Sequence, residues 1–135
     1  MKFHTIQLYM LFLVAVTLIS IGSPGYGYGQ GTIATLKGTQ PITLCLGPDG
    51  NAWVTESGSD KIARVTPAGV VTEWSVTAGS KVEGIAIGPD GALWFGEPGT
   101  AKYGEITTAG VVHEYNLGAD VSVAKWLTSG PGGNI

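Results

Sequence analysis

Two carboxylate side chains recur at equivalent positions of this chain of 135 residues. Glu56 and Glu97 each end a short segment that contains a tryptophan, in two stretches of similar sequence. Carboxylate oxygens are ligands for hard cations, so both residues are candidate metal ligands. The alternative is structural, because a carboxylate that recurs in every unit of a repeat can anchor the neighbouring unit through hydrogen bonds.

Three further carboxylates have both a chemical and a structural interpretation. Glu83 lies 14 residues before Glu97, and the pair could hold a cation, although a solvated loop charge explains Glu83 more simply. Asp49 and Asp90 could bind calcium. Each follows a proline and precedes a glycine, which is the pattern of a turn residue.

Nucleophiles and bases are scarce. Cys45 is the single cysteine, so no internal disulfide can form. It lies in the apolar run Ile42–Leu46 with no histidine nearby in the sequence, which favours a buried strand residue over a nucleophile. Of the two histidines, His4 is in the N-terminal segment and His113 falls on the predicted outermost strand of the second repeat. No nucleophile–base pair is visible.

The chain repeats itself. The ranges 47–76 and 88–117 share 14 of 30 positions at an offset of 41, and a third copy begins at Gly130, at an offset of 42 from Gly88. A fixed period of this length indicates a repeat architecture, in which each unit is one supersecondary element.

Each unit predicts four short strands separated by turns. Pro-Asp-Gly and Ala-Gly sequences supply the turns, and period-two alternation supplies the strands. The predicted strands are 42–46, 51–56, 61–66 and 70–76 in the first unit, and 85–87, 92–97, 102–107 and 111–117 in the second. Four strands in a repeat of this length predict an all-β fold, a β-propeller of four-stranded blades. A β-sandwich is the alternative, which the internal repeat disfavours.

The repeat divides the chain into five parts. The range 1–29 is a predicted signal peptide, 30–46 a lead-in with the first inner strand, 47–87 and 88–129 propeller repeats, and 130–135 the start of a truncated third repeat. This amounts to about 2.5 blades, whereas closed propellers use roughly four to eight. We therefore expect a fragment of a larger propeller. Ring closure by several chains, or a stable half-ring, is the alternative, and an open set of blades would self-associate.

The N-terminal part predicts export. Leu8–Ile21 is an almost unbroken apolar run, followed by a small-residue region before Gln30. This order is typical of a secretory signal peptide, and the run is shorter than the roughly 20 residues of a membrane span. We expect a secreted or periplasmic protein, with an uncleaved N-terminal anchor as the alternative. From Gln30 onward six basic and ten acidic side chains give a net charge of −4, and without a basic cluster we expect no nucleic-acid partner.

The unit Gly-Pro-Asp-Gly-x-x-Trp-(Val/Phe)-x-Glu, followed by Lys-Ile-Ala-Arg-Val-Thr-Pro-Ala-Gly, resembles the repeats of the streptogramin B lyases, also called virginiamycin B lyases. That family is similar to the broader NHL-type propellers. The resemblance implies antibiotic resistance by a magnesium-dependent elimination that opens a cyclic depsipeptide at its ester bond. It also implies a histidine base and a Mg²⁺ ion held by carboxylates.

The family's motif is only partly present. Its Glu-Pro-His-Gly-Ile segment enters the first strand, and a glutamate follows the histidine at the end of the tryptophan strand. Glu56 and Glu97 take the glutamate position, but Ile42 and Glu83 stand where the histidine would be. In the third unit Trp126 replaces the equivalent of Gly84 and is a candidate ligand-binding residue facing the channel.

Two functions therefore remain open. The first is an N-terminal fragment of a secreted streptogramin B lyase-like enzyme that acts on a small cyclic peptide, with Mg²⁺ as cofactor by resemblance alone. The second is a non-catalytic extracellular propeller that binds another ligand or a protein. A different propeller enzyme such as a lactonase would need a metal cluster that the sequence does not display.

Overall fold

The computed structural model describes residues 34–118 together with Lys125, Leu127 and Gly130. The predicted signal peptide and Trp126 lie outside these residues. The strands are β1 (Pro41–Leu46), β2 (Ala52–Glu56), β3 (Lys61–Val65), β4 (Val71–Ser75), β5 (Ile85–Ile87), β6 (Leu93–Glu97), β7 (Lys102–Ile106) and β8 (Val112–Asn116). Across the described ranges no helix is long and apolar enough to cross a membrane.

The strands form two antiparallel sheets with the orders β1-β2-β3-β4 and β5-β6-β7-β8. Each strand joins the next through a tight connection, so that each sheet is a four-stranded meander (blade 1 and blade 2). The observed strand bounds follow the predicted ones closely. The all-β propeller fold is confirmed, and both sheets are propeller blades.

The residues of the Pro-Asp-Gly turn hold the tryptophan that follows it in position. In blade 1 the Asp49 carboxylate accepts hydrogen bonds from the Asn51 N–H and the Trp53 Nε1–H, both at 3.1 Å. Gly50 has φ +74°, a left-handed conformation that glycine adopts without strain. A Cβ atom at Gly47 would lie 2.6 Å from the Trp53 ring. The motif therefore fixes the indole by hydrogen bonding and by close backbone approach, and blade 2 repeats this arrangement.

Each blade has two faces, because successive side chains of a strand point to opposite sides. The back face of blade 1 carries Trp53 and Ile62, and the front face of blade 2 carries Leu93, Phe95 and Ile106. These five side chains are all 0 % exposed and form one hydrophobic cluster. The main core thus lies between the two blades, where one back face packs on the next front face.

Polar contacts around Trp74 align the two blades. The Arg64 guanidinium lies 5.3 Å from the Trp74 ring centroid, and its Nη1 donates a 2.8 Å hydrogen bond to the Thr108 carbonyl of blade 2. Gly110 packs so closely on the Trp74 indole that a Cβ atom there would collide with it. Cation–π contacts contribute about 0.5–2 kcal/mol, and here the cation also reaches the next blade.

Asp60 binds the segment 76–84 that joins β4 to β5 (the connector between the blades). Its carboxylate accepts hydrogen bonds from the Gly79 N–H at 2.7 Å, the Lys81 N–H at 2.8 Å and the Ser80 hydroxyl at 3.3 Å. Asp60 has φ +51°, a conformation that aspartate tolerates better than most residues. The clamp therefore depends both on a carboxylate and on its unusual backbone.

We expect Asp60→Ala to lower the free energy of unfolding by about 2–3 kcal/mol, because it removes three hydrogen bonds and places alanine in the left-handed region. Asp60→Asn is the matched control, since asparagine keeps one acceptor oxygen and tolerates this backbone, and it should lose less than half as much. Urea unfolding monitored by tryptophan fluorescence measures both. Equal losses in the two variants would show that the carboxylate contacts do not stabilise the blade junction.

Candidate functional site

The strand-end glutamates are the most deeply buried acidic side chains of the described chain. Glu56 ends β2 and Glu97 ends β6, each on the front face of its blade, and both are 0 % exposed. None of their four carboxylate oxygens has a hydrogen-bond partner of ordinary geometry among the described residues, although Gly38 N–H lies near the Glu56 carboxyl, and the Ser80 hydroxyl and Glu114 lie near that of Glu97. A buried polar group without a partner is costly, so these two positions call for a chemical explanation.

In blade 1 the nearby lysine forms its ion pair with a second glutamate and not with Glu56. Lys61 lies opposite Glu56 in the ladder, but its Nζ contacts Glu73 Oε2 at 2.9 Å. Glu73 Oε1 also accepts hydrogen bonds from the Lys37 N–H at 2.7 Å and the Gly38 N–H at 3.3 Å. Glu73 on the outermost strand thus anchors the lead-in segment, while Glu56 is buried beneath it without an ion pair of its own.

Blade 2 repeats the arrangement. Lys102 lies opposite Glu97, and its Nζ is 3.9 Å from Glu114 Oε2. Glu114 accepts hydrogen bonds of 2.7 Å from both the Thr77 N–H and the Thr77 hydroxyl. The anchoring role considered for the strand-end glutamates is therefore filled by Glu73 and Glu114, which occupy equivalent positions of the two repeats. That equivalence was visible in the sequence, but the face and partner of each glutamate were not.

Burial raises the pKa of Glu56 and of Glu97 to about 7. The negative charge of the outer glutamate in each blade (Glu73 or Glu114) raises the pKa further, and the positive charge of the lysine (Lys61 or Lys102) lowers it in part. For Glu73 and Glu114 burial alone would raise the pKa, but hydrogen bonds led by those from Lys61 and Thr77 outweigh it and lower the pKa. Each blade therefore holds one carboxyl that is readily protonated beside one that stays ionised.

These carboxyls do not fit a magnesium ion by themselves. Mg²⁺ requires near-octahedral oxygen coordination and usually retains several waters, whereas Glu56 and Glu97 are sealed from solvent. Within the part of the chain that the structure describes, no three His, Cys, Asp or Glu side chains converge on one point. The metal-ligand role of Glu56, Glu97 and Glu83 stays a prediction.

The two positions that correspond to the family's histidine lie in or just before the innermost strands, β1 and β5. Ile42 is in β1 and is 46 % exposed. Glu83 is half-buried just before β5, and its N–H donates a 3.1 Å hydrogen bond to the Gly96 carbonyl. Neither residue supplies an imidazole, and isoleucine carries no titratable group at all. The candidate Trp126 lies outside the described residues.

The remaining candidates have structural explanations. Burial raises the pKa of Cys45 to about 11, with Asp49 adding to the rise, so the reactive thiolate is disfavoured. His113 is exposed on the outermost strand β8. Asp49 and Asp90 are occupied by the tryptophans of their own turns, and the hydrogen bond from Trp94 lowers the pKa of Asp90.

A comparison with known families agrees with the propeller fold. The virginiamycin B lyase family matches residues 26–135. The chain belongs to this family.

Solved structures of virginiamycin B lyase agree in fold. A catalytically inactive variant of the enzyme from Staphylococcus aureus, determined with quinupristin, is 35 % identical, with a TM-score of 0.71 over 78 % of this chain and 37 % of that chain. A streptogramin B lyase structure is 31 % identical, with a TM-score of 0.72 over 78 % of this chain and 36 % of that chain. The chain thus spans little more than a third of the length of these enzymes. None of the curated proteins matches it.

The buried carboxyls make stability depend on pH. The folded-state pKa values of Glu56 and Glu97 lie above the ordinary value of 4.5, so the folded state binds more protons than the unfolded state between about pH 4.5 and 7. Their contribution is fully present below pH 4.5 and is lost as pH rises through 7. We expect the free energy of unfolding to be lower at pH 8 than at pH 5 by about 2 kcal/mol for each carboxyl.

Glutamine substitution separates this effect from general charge effects. Glu97→Gln keeps the side-chain shape without the charge, so at pH 8 it should be more stable than the unsubstituted chain. Glu83→Gln removes one carboxylate from a half-buried site of the same blade and is the control for the loss of a charge. Urea unfolding at both pH values is the measurement, and the same pH dependence in Glu97→Gln as in the unsubstituted chain would contradict the assignment.

Proposed function

We propose that blades 1 and 2 form part of a propeller that acts as a streptogramin B lyase on cyclic depsipeptide antibiotics. The observation that carries this proposal is the family match over residues 26–135. A relative that is 35 % identical was solved with quinupristin, which supports a cyclic peptide as the class of substrate. The proposal concerns the whole propeller, of which the described residues are two blades.

The proposed reaction is an elimination. A base takes the proton from the carbon next to a carbonyl, the ester carbon–oxygen bond breaks, a carbon–carbon double bond forms, and the carboxylate leaves. No water is consumed, so the linear product has the same atomic composition as the cyclic substrate. Hydrolysis of the same ester would instead add one water, and mass spectrometry distinguishes the two reactions.

Blades 1 and 2 contribute the framework in this proposal. Their innermost strand side carries Ile42 and Glu83 where the family's base would lie, and the described His113 is on an outermost strand. The base must therefore come from outside the described residues. Glu73 and Glu114 anchor the segments that meet the front faces, through the Lys37 and Gly38 N–H groups in blade 1 and through Thr77 in blade 2.

The proposal includes export. The range 1–29 would act as the signal peptide, which places the propeller where an extracellular antibiotic would meet it. Intact mass measurement of the protein recovered from culture medium should give a chain that begins near Gln30. A retained N-terminal segment would contradict this part of the proposal.

The test of the activity uses the product of the full reading frame, incubated with quinupristin with and without a chelator and analysed by liquid chromatography and mass spectrometry. We expect a new peak of unchanged mass that depends on divalent cation. The chain as printed, run as the control, should yield no such peak because its described blades lack a histidine at the inner strands. A full-length product that gives no peak of unchanged mass would refute the lyase proposal.

A non-catalytic binding propeller is the second candidate. It is favoured by the exposed apolar Ile42 and by Glu83 at the two positions where catalysis would need a base. Isothermal titration with quinupristin separates the two functions. Heat of binding without any change in the peptide would support a binding module, whereas conversion to the linear isomer would exclude it.

A further inference from the structure

The innermost strand of blade 1 is irregular where it begins. The register of β1 against β2 shifts by one residue between Pro41 and Leu44. Two residues of β1, Ile42 and Thr43, therefore face the single residue Thr55 of β2. An extra residue of this kind is a β-bulge, which bends the strand and changes the direction of the side chains next to it.

The Thr55 hydroxyl completes the hydrogen bonding of this bulge. It accepts a 3.1 Å hydrogen bond from the Thr43 N–H and donates a 3.4 Å hydrogen bond to the Thr43 carbonyl. Thr55 is 0 % exposed, and a buried backbone group that loses its partner is costly. The hydroxyl of Thr43 itself makes no hydrogen bond of ordinary geometry within the described part of the chain. The bulge therefore depends on the side chain of Thr55 and not on that of Thr43.

Blade 2 has a bulge at the equivalent position with a different partner. The Glu83 N–H donates to the Gly96 carbonyl and the Gly96 N–H donates to the Gly84 carbonyl, both at 3.1 Å, so two residues again face one. Gly96 occupies the repeat position of Thr55 and carries no hydroxyl. The N–H that the hydroxyl binds in blade 1 belongs in blade 2 to Gly84, and it donates a 2.7 Å hydrogen bond to the Lys125 carbonyl. Both blades thus have the bulge, but only blade 1 completes it with a side chain.

The bulge decides on which face of blade 1 Ile42 lies. If the register that pairs Leu44 with Val54 continued without a bulge, Ile42 would pair with Glu56 on the front face, because a shift of one residue moves a side chain to the other face. Glu56 is completely buried there. With the bulge, Pro41 takes that position and Ile42 is 46 % exposed. The innermost strands of a propeller surround its central channel, so the exposed isoleucine lies where a ligand at the mouth of the channel can reach it.

We propose that Thr55 is a positioning residue: its hydroxyl holds the bulge that keeps Ile42 exposed at the mouth of the channel, where the isoleucine contacts an apolar side chain of a cyclic peptide ligand. The contact rests on the proposed function, whereas the positioning rests on the described geometry alone. An isoleucine side chain transfers no proton, so its contribution is apolar binding. Binding that is equal in the ground state and the transition state changes KM and not kcat.

Thiol labelling tests the positioning in the chain as printed. Ile42→Cys introduces a reactive group at the bulge, in a Cys45→Ala background that removes the single native thiol. We expect Thr55→Val to slow the reaction with a maleimide about tenfold, as the loss of two hydrogen bonds predicts, because residue 42 then pairs with Glu56 on the covered face. Thr55→Ser keeps the hydroxyl and should retain the rate of the parent chain. Thr43→Val is the matched control, because it removes a hydroxyl that takes no part in the bulge, and it should leave the rate unchanged.

The direction of the change separates positioning from a loss of stability. If Thr55 only stabilised blade 1, its replacement would loosen the blade and accelerate labelling in a variant that circular dichroism shows to be folded, and this result would overturn the proposal. Equal rates in Thr55→Val and the parent chain would also overturn it, because the backbone alone would then hold the bulge. Thr55→Ala removes the hydroxyl without placing a methyl group against the Thr43 backbone, and it takes the place of Thr55→Val if that variant does not fold.

A double-mutant cycle on the product of the full reading frame tests the contact. Ile42→Ala should raise the KM for quinupristin about tenfold and leave kcat unchanged, as the loss of an apolar contact predicts. Thr55→Val should raise KM as well, and the double variant should show no further rise, because Thr55 acts through Ile42. Independent, additive effects of the two substitutions would overturn the contact. If the protein binds quinupristin without converting it, the same cycle uses the dissociation constant. Failure to bind quinupristin at all would refute both the proposed function and the contact, while thiol labelling decides the positioning separately.

Discussion

The packing of one blade's back face on the next blade's front face is the contact on which the structure depends. A four-stranded sheet has two apolar faces and cannot bury either one by itself. Trp53 and Ile62 are 0 % exposed, and they share one hydrophobic cluster with the blade 2 side chains that include Phe95. Truncating a buried tryptophan to alanine typically costs about 3–5 kcal/mol. The cation–π contact of Arg64 and the Asp60 clamp therefore act on a junction that is already apolar, and they fix its alignment.

The strands could be predicted well from the sequence because their signals are local. Pro-Asp-Gly fixes a turn through the preferences of adjacent residues, and the structure shows Asp49 also holding Trp53 within the same turn. The roles of the glutamates were not predictable in this way. Glu56 and Glu73 are equally regular in the sequence, yet Glu56 is completely buried without an ion pair, whereas Glu73 binds both a lysine and a backbone N–H. The difference depends on contacts between segments far apart in the sequence, which spacing alone does not reveal.

The positions that are identical in both blades are largely explained by packing. The glycine of each turn allows a tryptophan to approach, the aspartate holds its indole, and these contacts recur with the same geometry. The positions that differ between the blades make contacts that are specific to each blade. Arg64 reaches the Thr108 carbonyl of the next blade, whereas its equivalent Glu105 accepts a 2.8 Å hydrogen bond from the Tyr115 hydroxyl. The innermost strand side, where the family places its base, also differs between the blades. Specific function in a repeat protein is therefore to be sought in these exceptions to the repeat.

The buried carboxyls follow from the same junction. Each blade places two glutamates and one lysine on its front face, and the lysine pairs with the outer glutamate in blade 1 at 2.9 Å and in blade 2 at 3.9 Å. A second ionised carboxylate at this depth would bear both the desolvation cost and the repulsion of its neighbour. One bound proton removes both costs and leaves the group of three side chains neutral. The pKa of about 7 for Glu56 and Glu97 thus results from packing an acidic strand end between connector and blade, and it arises without any requirement for a ligand.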